Sequence, residues 1–494
     1  MDPLRSLSPH SLLNIETLAA LAFLVAILAR TGGHDSPEST NNTGRKPPVF
    51  IGLCTAIGLF YWQVLNAPFV YDDYTHITDA RHSDFGSILA AFGPAENGFF
   101  YRPFGFLIYW LNYLIAGPNP RLWHAVSLGF HALDACLVYS LSRTLRLGAA
   151  GSLGSALLFA FSGSAVEPVA WIDARFDPMA TALVLASLLW VCQFILNGRS
   201  LWLGAACLAG AAGFTTKESA FCLPLLVACL WFFLPNSLKR LRVAFLTVGT
   251  LATLVFAYRW WALDGIGGYR GAAGASNIES FSLVRMLNAV FVRDWTILFF
   301  PVNWSAGVGW ILAAMLCCTP IVFGVCVWRA RPSRRLIAGS MAMTFVAALP
   351  VQHLLLIGVD LANARYVYLL SVGWALLLGV VFASLNSRAW RWFAIAWMVT
   401  LHLLMARHNL DFWLRVPQEA RVVCAEFGQT VLATSGTAIV GGLPQRKNGV
   451  VFLANGFPQC VEMNSRVPEG RVSTLGVPNF VWNSMTGRIE PVRK

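Results

Sequence analysis

With 494 residues, 56% of them hydrophobic and only 12% charged, the chain is too poor in charge for a soluble globular protein and reads as a polytopic membrane protein. Many of its 19 tryptophans lie near the ends of apolar runs, where interfacial belts form, and its formal net charge of +12 is first an asymmetry between loops that sets orientation. No basic stretch interleaved with aromatics occurs, which excludes nucleic acid as a partner and leaves membrane lipid.

The chain opens with an apolar run at 12–29, interrupted by Glu16 and followed by Arg30 and a polar stretch to Pro48. A signal-like helix, a peripheral helix and an extra span are all open readings. A cleaved signal is not expected, because a basic n-region and a small-x-small cleavage site are missing. Arg45 and Lys46 precede the first clear span, about 49–66, and place its start in the cytoplasm. Further spans read at about 122–142, 147–167, 178–196, 200–216, 219–235, 241–261, 307–328, 336–357, 366–385 and 390–407. With about eleven spans, the basic loops fall on one side: Arg143/Arg146, Arg199, Lys239-Arg240/Arg242, Arg329 to Arg335 and Arg388/Arg391.

Two more apolar segments, Phe104–Ala116 and Phe281–Val302, read as interfacial helices in long external loops, the second because it carries Arg285, Arg293, Asp294 and Pro301. A hairpin of two short spans is the alternative. After residue 407 the hydropathy collapses and short apolar runs alternate with Pro and Gly, as in a small α/β or β-rich unit. The expected division is 1–48, an N-terminal helix and linker; 49–407, the membrane part; and 408–494, an extracytoplasmic unit. Of eleven cysteines only Cys424 and Cys460 fall in that unit, where an oxidising compartment would allow one disulfide.

Chemistry gathers between the first two spans. Asp72 and Asp73 stand together where a membrane helix meets water, and desolvation with mutual repulsion raises the pKa of at least one, the condition for a general base near neutral pH. A solvated helix-end turn is the plain alternative. With the basic loops assigned inward, the remaining charges collect on the other face: Arg102, Glu167, Asp173, Arg175, Asp177, Lys217, Glu218 and Arg365. Each is costly near membrane depth unless paired or ligand-bound. Glu218 beside Lys217 and Asp360 five residues before Arg365 are the neighbours in sequence able to neutralise them. His124, His131 and Asp134 share one helix face and read as a buried polar network before a catalytic group. No third ligand at suitable spacing points to a metal site, no cofactor motif is present, and the need for a divalent cation stays open.

Phe-Val-Tyr-Asp-Asp at 69–73, Tyr-Arg-Pro at 101–103, His124 with His131, Val-Ala-Trp-Ile-Asp-Ala-Arg-Phe-Asp at 169–177, Thr-Lys-Glu-Ser at 216–219 and Ala-Arg-Tyr-Val-Tyr-Leu-Leu-Ser-Val-Gly at 364–373 occur in that order. Over about residues 50–410 this resembles the membrane half of the tetratricopeptide-containing protein O-mannosyltransferases, within the GT-C superfamily. The resemblance implies a GT-C-like helical membrane fold with a long first external loop. It implies an inverting glycosyltransferase that moves a sugar, mannose in the family's name, from a polyprenyl-phosphate carrier to an extracytoplasmic hydroxyl on protein, glycan or lipid. Asp72 and Asp73 would then be catalytic, with Asp72 the base. Arg102, His124, Glu167, Arg175, Asp177, Lys217 and Arg365 would form the donor side, in a bacterial inner membrane with the site facing the periplasm. The chain departs from the family in lacking the tetratricopeptide array and in carrying Ser162-Gly163, Ala364 and Leu370 at motif positions, so acceptor choice does not carry over. The reading from another class is a transporter or flippase for a lipid-linked or anionic substrate.

The loop charges predict topology: single cysteines placed near Lys239 and Arg335 stay protected from impermeant thiol reagents in intact cells, and those near Gly268 and Asn448 react. Labelling near Arg335 from outside would overturn the span count.

Overall fold

The computed structural model describes residues 46–94, 99–268, 283–351 and 357–492. The apolar run 12–29, Arg45 and Arg270 lie outside them. The first helix, α1 (Lys46–Tyr61), passes through a 3-10 turn into a loop, followed by α2 (Asp72–His82), α3 (Phe85–Ala90) and α4 (Pro103–Ala116). Then come α5 (Pro120–Thr144), α6 (Gly148–Ala160), α7 (Val166–Ala170), α8 (Phe176–Asn197), α9 (Ser200–Phe214), α10 (Leu223–Cys229) and α11 (Leu238–Ala262). The bundle closes with α12 (Leu283–Asn288), α13 (Asp294–Phe299), α14 (Trp310–Arg329), α15 (Arg334–Ala348), α16 (Leu370–Ala383) and α17 (Arg388–Leu432).

Every stretch read as a span carries helix, and the chain is an integral multi-pass membrane protein. Among the described residues six helical stretches are long and apolar enough to cross, and the pair α6 and α7, bent by 43°, makes a broken seventh. Four stretches are shorter. Ser200–Phe214, Glu218–Phe232 and α15 have 15 residues each and α16 has 14. At 1.5 Å per residue these reach only ~22 Å, less than the ~30 Å of hydrocarbon that a full span covers. From Leu283 to Phe299, the described part of the 281–302 segment is two short helices around a π turn, with Leu287, Phe291 and Val292 exposed, as an interfacial element would be.

The core lies around α6, α8 and α16, whose side chains are buried almost all round. By contrast α11 and α14 bury little and present apolar faces outward. Small residues let α6 and α16 meet backbone to backbone: a Cβ added at Gly379 would stand 2.8 Å from the Gly151 carbonyl oxygen and 2.0 Å from Ser155 Oγ.

The hydropathy drop at residue 407 marks no break in the chain. α17 runs unbroken for 45 residues from Arg388 to Leu432, with Pro417 inside it, and carries the C-terminal unit at its end. That unit holds a four-stranded sheet, order β4-β1-β5-β6, from β1 (Ala438–Gly441), β4 (Val472–Ser473), β5 (Phe480–Asn483) and β6 (Arg488–Pro491). β1 is parallel to β4 and β5, and β6 is antiparallel to β5. A hairpin of β2 (Arg446–Lys447) and β3 (Val450–Val451) turns through Asn448 and Gly449, both at positive φ, the signature of an Asn-Gly hairpin turn. The helix α18 (Phe457–Asn464) is tied to α17 by the disulfide Cys424–Cys460. Phe427 on α17 meets Phe457 and Phe480, so the unit is packed as well as bonded to its stalk.

The close crossing predicts that Gly379→Ala destabilises the protein by about 1–3 kcal/mol, through overpacking. Gly204→Ala, where nothing stands within 4 Å of the new Cβ, does not. Thermal unfolding of both variants in detergent checks the contrast.

Candidate active site

The loop after α1 buries Phe69 and Val70 and then bends at Tyr71, which takes φ 57°, a conformation unusual for an aromatic residue. That bend starts α2 with both carboxylates in its first turn, where the helix dipole favours negative charge. The structure then separates the pair. Asp73 is buried and accepts from two backbone amides, Val70 N at 3.1 Å and Asp173 N at 2.8 Å, so it latches the first loop to the turn before α8. Burial pushes its pKa up, and the two N–H groups oppose that. Asp72 is half-buried, and burial, with the Asp173 charge, raises its pKa to about 6. Near neutral pH Asp72 is therefore ionised and able to take a proton.

One turn along α2 lies His76, whose Nδ1 stands 2.6 Å from Asp173 Oδ1. Burial opposes its charge, yet Asp173 lifts its pKa to about 9. Its imidazole rests edge-on among Phe106, Tyr109 and Phe176. Asp173 stands in the 169–177 motif, whereas His76 is given no role in the sequence reading. The i to i+4 spacing from Asp72 to His76 is the signal in the sequence that finds the histidine.

Three cations gather on the same side of the molecule as Asp72 and Asp173. Arg365, in the 3-10 turn before α16, donates to Glu167 Oε1 at 2.5 Å and to the Tyr366 hydroxyl at 3.1 Å. Lys217, at the joint between two short helices, donates to Asp177 Oδ2 at 2.5 Å and lies 5.4 Å from the centre of the Tyr366 ring. Arg102, just before α4, grips both oxygens of Glu218, at 3.3 and 2.7 Å. Arg365 is in electrostatic reach of Asp72, and Arg102 of Asp173. The neutralising neighbours in sequence are thus not the partners. Glu218 pairs with Arg102 rather than Lys217, and Asp360 bonds the Ala362 amide while Glu167, 198 positions away, holds Arg365.

Arg102, Glu167, Asp177, Lys217 and Arg365 are therefore brought together beside Asp72 and Asp73. Arg175 is used elsewhere: fully buried, it donates to Ser127 Oγ, Asn112 Oδ1 and the Trp123 carbonyl, pinning α8 to α4 and α5. His124 is fully buried in α5, and among the described residues no hydrogen bond joins it to the cluster. His131 and Asp134 form the expected polar network. His131 Nε2 donates to the Ala160 carbonyl at 2.9 Å, and Tyr368 bridges His131 Nδ1 and Asp134 at 2.7 and 2.9 Å. Among the described residues no three His, Cys, Asp or Glu side chains converge as a metal-ion ligand set.

The His76 to Asp173 pair makes stability depend on pH. A histidine raised from 6.5 to about 9 contributes fully below about pH 6.5 and loses the contribution as pH rises through about 9. With the His76 side chain 22% exposed, solvent screening holds it to about 1–2 kcal/mol. The difference in melting temperature between wild type and His76→Gln is therefore largest near pH 6 and closes above the folded-state value. A difference independent of pH would remove the ion pair as its source.

No protein-family model matches the chain. It is 32% identical over 202 residues to the human protein O-mannosyl-transferase TMTC1, covering 38% of this chain and 22% of that protein. It is 29% identical over 198 residues to Drosophila melanogaster Tmtc1, 37% and 23%, and 32% identical over 154 residues to human TMTC2, 28% and 18%. The chain spans about a fifth of the length of the curated relatives it matches. Among solved structures, ArnT from Cupriavidus metallidurans bound to undecaprenyl phosphate aligns over 86% of this chain and 88% of that one, at 12% identity and a TM-score of 0.46. Over a little more than a third of its length, then, the chain is similar to the protein O-mannosyl-transferases, the family its motif order resembles.

Proposed function

We propose that the protein is an inverting glycosyltransferase that takes a sugar from a polyprenyl-phosphate carrier and places it on a hydroxyl outside the cytoplasm. The observation that carries this reading is one half-open carboxylate with a pKa of about 6 beside three cations clustered around Tyr366. The acceptor oxygen attacks the anomeric carbon as its proton passes to Asp72, and the bond from that carbon to the phosphate oxygen breaks with its electron pair on the phosphate. Arg102, Lys217 and Arg365 would meet that charge with N–H donors beyond those they give to their carboxylate partners. A lipid-borne donor accounts for charged groups gathered at the ends of apolar helices. The names of the relatives make mannose the first sugar to test and a protein hydroxyl the first acceptor. We place the site and the C-terminal unit on the periplasmic face of a bacterial inner membrane.

Purified protein in nanodiscs should then release free polyprenyl phosphate from a polyprenyl-phosphate mannose when an acceptor is present, a reaction that a transporter of the same lipid lacks. Turnover rises with pH through about 6, as Asp72 ionises. Asp72→Asn lowers it by about 10²–10⁴ at near wild-type melting temperature. Asp73→Asn puts an amide where two backbone donors need acceptors, so it lowers the melting temperature itself. Full turnover in Asp72→Asn would remove the base.

A further inference from the structure

The C-terminal unit reaches the candidate site at two points, one on each side of the chemistry. At the first, Asn455 Nδ2 donates to Asp72 Oδ1 at 3.1 Å. The contact is held from below. Gly456, at φ 65°, lies so close to the Tyr71 carbonyl oxygen that an added Cβ would be 2.2 Å from it, and Asn464 at the far end of α18 donates to the Tyr74 hydroxyl at 3.0 Å. At the second, Arg446 Nη2 donates to Asn363 Oδ1 at 2.6 Å, and the same oxygen accepts from Arg365 Nη1 at 3.2 Å. Here too the backbone is in contact: a Cβ at Gly449 would be 1.9 Å from the Asp360 carbonyl oxygen, and Asn303 Nδ2 donates to the Asn448 carbonyl at 2.9 Å.

We infer that the C-terminal unit is a working part of the site, with Asn455 orienting the Asp72 carboxylate and Arg446, through Asn363, orienting the Arg365 guanidinium. The inference deepens the glycosyltransferase reading and rests on it. A carboxylate that serves as base needs one oxygen aimed at the incoming proton. A carboxamide donor on the other oxygen fixes the rotation of the group without competing for that proton, because it carries no titrating site of its own. The groups facing Asp72 are Asp73 beside it, His76 on the same helix, Asp173 from the turn before α8, Arg365 from the turn before α16 and Asn455. Of these, His76, Arg365 and Asn455 favour its charged form, and Asn455 alone comes from the C-terminal unit. Arg446 is a cation placed behind another: it holds the shared Asn363 oxygen, so that Arg365 is braced between Asn363, Glu167 and Tyr366. Both are positioning residues.

The test uses the full chain in nanodiscs and two readouts that need no turnover. The first is an infrared pH titration of the Asp72 carboxyl band, assigned by its loss in Asp72→Asn. The second is the affinity for undecaprenyl phosphate. Asn455→Ala raises the Asp72 midpoint by about 0.5 pH unit and leaves the lipid-phosphate affinity near wild type. Arg446→Ala weakens that affinity about fivefold and leaves the midpoint in place. Asn464→Ala loosens α18 without touching Asp72 and moves neither. An unmoved midpoint in Asn455→Ala, or an equal shift in Asn464→Ala, overturns the role of Asn455; unchanged affinity in Arg446→Ala overturns that of Arg446. If the midpoint and affinity respond as stated and no polyprenyl-linked sugar turns over in the wild type, the positioning contacts stand and the transfer reading falls.

Discussion

The cost of holding charge within an apolar layer governs this molecule more than any other constraint. Each ionised side chain at membrane depth carries a penalty on the order of 3 kcal/mol, so a cluster of cations persists there only if its members are paired. Each of the three basic groups has found its carboxylate on a different segment: Arg102 with Glu218, Lys217 with Asp177, Arg365 with Glu167. The pairs therefore serve as cross-ties. They join the end of the first loop, the broken α6 to α7 turn, the start of α8, the joint after α9 and the turn before α16 at one place. The paired side chains are largely shielded from solvent, where screening would otherwise leave each pair worth little. The same ion pairs thus tie the fold together at the candidate site.

Much of this was legible in the sequence, and what was not has a common cause. Span positions follow from hydropathy, and Asp72 announces itself by standing beside a second carboxylate at a span end. Partnerships do not follow, because adjacency along the chain is a poor guide once a residue leaves regular helix. Lys217 ignores Glu218 next to it and takes Asp177, 40 positions away. The family resemblance puts Arg175 with the donor-side residues, yet its guanidinium turns inward to Ser127, Asn112 and Trp123. Nothing in its local pattern distinguishes the two directions. The contacts of Asn455 and Arg446 are more remote still, bridging 383 and 83 positions.

Residue 407 teaches a second lesson about what hydropathy measures. The span read at 390–407 ends where the hydropathy falls, yet the helix runs on through Arg407, Asp411, Arg415 and Pro417. Arg407 and Asp411 pair one turn apart at 2.7 Å, which neutralises the charge without interrupting the backbone. Hydrogen bonds within the helix do not depend on what surrounds it, so α17 carries on while its surface changes character. A proline in the middle bends or weakens such a helix but does not oblige the chain to turn away.

That continuity limits how this part of the chain can vary. At 1.5 Å per residue the 45 residues of α17 extend ~68 Å, and each residue adds ~100° of rotation. Everything beyond Leu432 is thus set in angle and height by a residue count, and so is the distance from Asn455 to Asp72. One residue gained or lost in the stalk would swing the C-terminal unit a quarter turn off its seat, and a change of three or four would restore the angle while lifting the unit by ~5 Å. Loops elsewhere can absorb length changes, whereas this helix can absorb none, so its length behaves as a fixed dimension of the machine.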